Sequence, residues 1–150
     1  MSRKLFKFST IFFFVLIIDQ LIKLLFLKGF RYDGEFFSLI LTFNRGVAFS
    51  MFAFLGEWLK ILQILLILAL FTYLLYEKDL FKNHTVAFGL IFGGGVSNLV
   101  DRFIRGGVVD YVFWHKWFEF AIFNFADVMI NLAVCIIFTQ IFLKFKRRKA

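Results

Sequence analysis

Four stretches of this chain, about residues 8–27, 58–76, 85–100 and 125–143, are almost free of charge and are joined by short polar or aromatic segments. About 20 predominantly apolar residues is the length an α-helix needs to cross the ~30 Å hydrocarbon core of a bilayer. The uncharged cores 61–76, 85–100 and 128–143 have 16 residues each. These are slightly short, so each helix is expected to extend into its polar flank. A chain of 150 residues that is 61% apolar and holds 26 Phe has far more apolar surface than a core of its size can hide. A soluble domain and a disordered chain are both excluded. The expected fold is an α-helical membrane protein of four transmembrane helices, with residues 1–150 forming one domain.

Charge placement orients these spans. Arg3, Lys4 and Lys7 precede the first apolar run, and Lys144, Lys146, Arg147, Arg148 and Lys149 follow the last. Basic flanks mark the cytoplasmic side, so both termini are placed there and the number of crossings is even. Lys78 and Lys82 put the second connection, 77–84, on the same side, although Glu77 and Asp79 weaken that vote. The basic tail accompanies no groove-reading motif, so nucleic acid is not expected as a partner. The N-terminus resembles a signal peptide, but no small-residue cleavage site follows the run Phe8 to Ile18. It is read as a retained first helix. The single Cys135 offers no internal disulfide, and His84 and His115 are too isolated to suggest a metal site.

Segments 28–57 and 101–124 then lie outside. In the first, Phe36 to Phe43 is rich in β-formers and too short to span. Asn44-Arg45-Gly46 gives a turn signal before Val47 to Phe52. A small strand-rich element on the outer membrane face is expected over 36–52. In the second segment, Trp114, Trp117, Phe118 and Phe120 surround Lys116 and Glu119, a composition suited to the headgroup layer.

The polar residues converge on that same outer leaflet. The third span runs outward to Asn98, Asp101 and Arg102, and the fourth begins with Asn124 and Asp127. Asp110 lies between them, Asn44 lies in the other outer segment, and Asp19 falls in the outer half of the first helix. Asp19 and Lys23, one turn apart, suit either mutual neutralisation or a direct role. Asp101 and Arg102 suit an interfacial ion pair. Gly93-Gly94-Gly95 suits close helix packing.

Five patterns occur in order: D-Q-x-x-K at 19–23, N-R-G-V-A-F-S at 44–50, G-G-x-x-x-N-x-x-D-R at 93–102, G-x-V-D-Y at 107–111 and F-N-F-A-D at 123–127. In this order and spacing they resemble the bacterial lipoprotein signal peptidases (signal peptidase II), and the resemblance runs nearly the whole chain. It implies an intramembrane aspartyl endopeptidase in the bacterial inner membrane, with no metal or other cofactor. Such an enzyme removes the signal peptide from prolipoproteins just before a diacylglyceryl-modified cysteine. The resemblance places the catalytic pair at Asp110 and Asp127. It places supporting residues at Asp19, Lys23, Asn44, Gly46, Asn98, Asp101, Arg102, Asn124 and Ala126. Ser97 departs from the family's usual Gly before the motif asparagine, which affects local packing or adds a hydrogen bond while leaving both carboxylates intact. Expected partners are the lipid-modified prolipoprotein and membrane phospholipid, with the protein a monomer.

Two carboxylates suit metal-free peptide hydrolysis. Held close together they do not both ionise cheaply, so they share a proton. One activates water while the other protonates the scissile carbonyl, and the roles then reverse. A proton-coupled transporter or channel subunit would also hold carboxylates within the membrane. Its site is expected near the midplane, often within repeats, and this chain has its polar set at one end and no evident repeat.

Overall fold

In a computed structural model the chain is described over residues 2–46 and 51–149. Among the described residues five α-helices and two strands follow one another. They are α1 (Ser2–Leu27), β1 (Phe37–Asn44), α2 (Trp58–Tyr76), α3 (Lys78–Asn83), α4 (Thr85–Arg105), β2 (Val108–Trp114) and α5 (Phe125–Lys149). A 3-10 turn, Ala53–Leu55, precedes α2. By length and composition α1, α2 and α5 qualify as membrane-crossing helices among the described residues. The fourth expected span, α4, is long enough but ends in Asp101, Arg102 and Arg105, and its buried face includes Ser97, Asn98 and Asp101.

The long helices extend beyond their apolar cores, as the short uncharged windows required. α1 begins at Ser2 rather than near Phe8, and α5 runs to Lys149 rather than Leu143. Away from bulk water a backbone keeps its internal hydrogen bonds, and the basic end of α5 suits the negative end of the helix dipole. α4 passes the expected Val100 and stops at Gly106, whose φ of 72° is the left-handed conformation that closes a helix.

α4 packs between α1 and α5, with α2 more loosely against it. Its glycines allow this approach. A Cβ on Gly93 would meet the Phe12 carbonyl oxygen at 2.8 Å, and one on Gly94 would meet the Ala126 carbonyl oxygen at 2.8 Å. Gly95 differs from the expected continuous packing face, since a Cβ there would meet only Ile67, at 3.8 Å. Val15, Ala87, Leu90 and Ala133 form the apolar core beneath, while Leu65, Leu66, Phe138 and Phe142 stay exposed, as lipid-facing side chains would.

β1 confirms the strand expected over 36–43, and its antiparallel partner β2 was not anticipated. The expected extended element does not continue to residue 52. It stops at Asn44, residues 53–55 form the 3-10 turn, and Val47 to Ser50 lie outside the described residues. The register pairs Phe37 with Trp114, Leu39 with Val112 and Thr42 with Asp110, with an irregularity between Leu39 and Thr42. This pairing ties the second outer segment to the first and sets Asp110 above the start of α5.

Candidate active site

Lys23 is fully buried and organises the inner part of the site. Its Nζ lies 2.6 Å from Asp19 Oδ2, 2.7 Å from Asp101 Oδ2 and 2.8 Å from Asn98 Oδ1. An ammonium has three N–H donors, so all are used. The two carboxylates are satisfied from other sides as well. Asp19 accepts from Ser97 Oγ at 2.6 Å and from the Ala126 amide at 2.9 Å. Asp101 accepts from the Val109 amide at 3.1 Å, from Gln20 Nε2 at 3.0 Å and from Arg105. The cluster thus ties α1 to α4, to the first residues of β2 and to the start of α5.

Above this cluster lies a layer of asparagines whose orientations follow from their partners. Asn98 Oδ1 accepts from Lys23 and from Asn124 Nδ2, so its own Nδ2 faces Asp127 Oδ1, at 2.9 Å. Asn124 precedes α5 and forms a reciprocal cap with Asp127. The Asp127 amide donates to Asn124 Oδ1 at 2.9 Å, and the Asn124 amide donates to Asp127 Oδ2 at 3.1 Å. With its oxygen committed, Asn124 turns Nδ2 to Asp110 Oδ1 at 2.7 Å. Asn44 donates to Asp110 Oδ2 at 3.0 Å while its own oxygen takes the Gly46 amide at 2.9 Å. Arg102 donates to the Gly46 carbonyl oxygen and so holds this turn.

Asp110 and Asp127 therefore receive hydrogen bonds from amides, and neither forms an ion pair among the described residues. Burial pushes the Asp110 carboxyl up to about 7, and the neighbouring Asp127 charge pushes the same way, against the bonds from Asn44 and Asn124. Both carboxylates line one cavity of about 420 Å³. Its walls come from α2, α4, α5 and the strand pair, with Leu59, Leu66 and Ile130 among the apolar lining residues. No group of three or more metal-ligating side chains occurs among the described residues. A carboxyl poised near neutrality beside a second carboxyl, in an apolar cavity, can exchange protons with a bound peptide bond and water.

Every candidate site residue named from the family motifs joins this one network, from Asp19 and Lys23 through Asn98 and Asn124 to Asp110, Asp127 and the Asn44–Gly46 turn. Ala126 enters through its backbone amide. One expected pairing does not occur, because Asp101 pairs with Lys23 and Arg105, not Arg102. Successive helix residues point in different directions, whereas residues four apart share a face, which turns Arg102 to Gly46 instead. Gln20 and Arg105 were missed as members of the cluster, although Gln20 sits inside the first motif and Arg105 stands one turn after Asp101. Ser97 adds a hydrogen bond, donating to Asp19 and accepting from Gln20 Nε2 at 2.9 Å. Tyr111 accepts the Phe125 amide at 2.9 Å through a hydroxyl whose pKa burial raises.

The chain matches the model of the family described as signal peptidase (SPase) II over residues 11–143. It is 52% identical over 149 residues to a lipoprotein signal peptidase of Helicobacter pylori, covering 99% of this chain and 95% of that one. It is 54% identical to a lipoprotein signal peptidase of Campylobacter jejuni, covering 97% of this chain and 95% of its relative. The chain belongs to the lipoprotein signal peptidase family. A solved bacterial membrane enzyme, determined by the in meso method at 2.3 Å resolution, superposes on it with a TM-score of 0.76 at 25% identity. That match covers 95% of this chain and 91% of the other. For a lipoprotein signal peptidase a polar network gathered at one end of an apolar helix bundle is the feature to explain, and a transporter reading is not favoured.

Proposed function

We propose that this member of the family is an intramembrane aspartyl endopeptidase with Asp110 and Asp127 as its catalytic pair. It removes signal peptides from diacylglyceryl-modified prolipoproteins, cutting before the lipidated cysteine. The observation that carries the assignment is the pair itself, two carboxylates bordering one cavity, hydrogen-bonded by amides and in no ion pair among the described residues. Burial raises the Asp110 carboxyl to about 7, so the pair shares one proton near neutral pH. The ionised partner takes a proton from water as the water oxygen bonds to the scissile carbonyl carbon, and the protonated carboxyl gives its proton to the carbonyl oxygen. The resulting diol collapses as its C–N bond breaks. The leaving nitrogen takes a proton from one carboxyl, and a diol hydroxyl returns one to the other.

Asn98, Asn124 and Asn44 orient the pair, Arg102 holds the Gly46 turn, and the Asp19–Lys23–Asp101 cluster with the Ala126 amide fixes the helices beneath. The molecule is a single domain that crosses the bacterial cytoplasmic membrane four times, as a monomer. In this reading α4 is the fourth crossing, its polar face buried against α1 and α5. In the same reading both termini lie in the cytoplasm and the carboxylate pair near the outer face, which the basic ends of α1 and α5 support. Phospholipid chains cover the exposed Phe-rich helix faces.

Cleavage of a diacylglyceryl-modified prolipoprotein by purified protein in detergent, with chelator present, tests the proposal. Wild type should cut before the lipidated cysteine. Asp110→Asn and Asp127→Asn should each remove at least ~100-fold of turnover, the scale of a general acid or base, while remaining folded. Wild-type turnover in either variant would reject the catalytic pair.

A further inference from the structure

Two amide side chains line the cavity outside the network just described. Gln63 stands on α2, and Asn131 stands on α5 one turn beyond Asp127. Both lie in helices apolar enough to cross a membrane, where a polar side chain without a partner is costly and is usually retained for function. Each amide has two N–H donors and an acceptor oxygen. Gln63 Nε2 donates to the Gly95 carbonyl oxygen at 2.9 Å, and Asn131 Nδ2 donates to the Asp127 carbonyl oxygen at 2.9 Å. Among the described residues these bonds leave the amide oxygen and one N–H of each side chain available to a ligand. Asn131 is exposed on its helix and, among the described residues, makes no side-chain bond to another element, so its presence is not explained by packing.

Their depth suits one task. Four helical residues separate Asp127 from Asn131, about 6 Å along the axis at ~1.5 Å per residue. An extended peptide advances ~3.3 Å per residue, so that depth corresponds to about two residues. A signal helix must unwind before its peptide bond can meet a carboxylate pair, and unwinding strips backbone N–H and C=O groups of their partners. In an apolar cavity such groups need replacements. Amides on facing walls supply both donors and acceptors without adding charge.

We propose that Gln63 and Asn131 bind the unwound peptide backbone of the substrate, about two residues on the signal-peptide side of the scissile bond. The proposal rests on the peptidase reading and adds a substrate-binding site to it. These residues hold substrate and transition state alike, so their loss raises KM and spares kcat.

The test uses the full chain in detergent with a fluorogenic lipopeptide bearing a diacylglyceryl-modified cysteine. KM, kcat and the thermal midpoint are measured for wild type, Asn131→Leu, Asn131→Gln and Gln63→Met. Asn131→Leu should raise KM about fivefold to tenfold, the scale of one lost hydrogen bond, with kcat and the midpoint unchanged. Asn131→Gln, which keeps the amide, should restore most of the lost affinity. Gln63→Met should raise KM similarly and also lower the midpoint slightly through its lost bond to Gly95. Wild-type KM in Asn131→Leu overturns the proposal, as does a loss confined to kcat or to the midpoint. A wild-type protein that fails to cut the lipopeptide rejects the peptidase reading and this inference with it. Cutting by wild type with unaffected variants rejects the inference alone.

Discussion

The cluster around Lys23 and the carboxylate pair at the cavity belong to one hydrogen-bonded network, yet they handle charge in opposite ways. Around Lys23 opposite charges meet directly, with Asp19 and Asp101 against the ammonium and all its donors used. At the cavity like charges meet, and their hydrogen bonds come from Asn44, Asn98 and Asn124. Saturation makes the first region rigid and chemically silent. The second keeps its affinity for protons because no cation pairs with it directly among the described residues, and burial raises Asp110 toward neutrality against the more distant charge of Lys23. The asparagines between the two regions transmit position without transmitting charge, since Asn98 touches both Lys23 and Asp127.

The comparison breaks most visibly if the pair is neutralised. Asp110→Asn and Asp127→Asn are near-isosteric and should lower kcat/KM by at least ~100-fold, up to ~10,000-fold, with thermal midpoints in detergent close to wild type. Lys23→Met should do the reverse in kind. It leaves buried Asp19 and Asp101 without their shared cation and should destabilise the fold by about 3–5 kcal/mol, read as a large fall in midpoint. A Lys23→Met protein of wild-type stability would mean that the cluster is not a scaffold.

The two regions were also unequally legible in sequence. Both carboxylates and their asparagines stand in ordered motifs, and the spacing of the apolar stretches gathers them at one end of the helices. The partnerships did not follow so directly. Arg102 adjoins Asp101 in sequence but bonds Gly46, because helix geometry turns neighbours apart and the turn it reaches is remote in the chain. Strand β2 was hidden because its partner β1 lies far away in sequence and its aromatic end reads equally well as membrane-interface composition. Local pattern gives the strand-forming tendency of a segment, but pairing across that separation is fixed only by tertiary packing. The helix ends ran past the apolar windows for a different reason, since charge at a helix end does not interrupt the backbone.

A pH series sharpens the contrast through Asp110. Its carboxyl sits near 7 in the folded protein against an ordinary value of 3.8. The folded state therefore holds a proton that the unfolded state releases over the window from 3.8 to about 7. Stability from this group is complete below that window and is lost as pH rises through it. The thermal midpoint of wild type should fall between pH 5 and pH 8 more than that of Asp110→Asn, which lacks the titration. Activity needs the proton too, so kcat/KM should fall about tenfold per pH unit above ~7. An alkaline limb that begins only above pH 9 would show that another group sets the profile.

The smallest effect probes the seam between the two regions. Ser97 Oγ bonds Asp19 and accepts from Gln20, but it touches neither Asp110 nor Asp127. Ser97→Ala leaves Asp19 with Lys23 and the Ala126 amide, and leaves Gln20 with the Ser97 backbone oxygen and Asp101. The cost should be about 1 kcal/mol, the net value of one hydrogen bond, with kcat and its pH profile unchanged. Ser97→Gly should cost about 1 kcal/mol more, because glycine loosens a helix interior. If Ser97→Ala instead lowered kcat at an unchanged midpoint, the cluster would be tuning the chemistry through Asp19 and the amide of Ala126. The division between a silent scaffold and a reactive pair would then have to be redrawn one residue closer to Asp127.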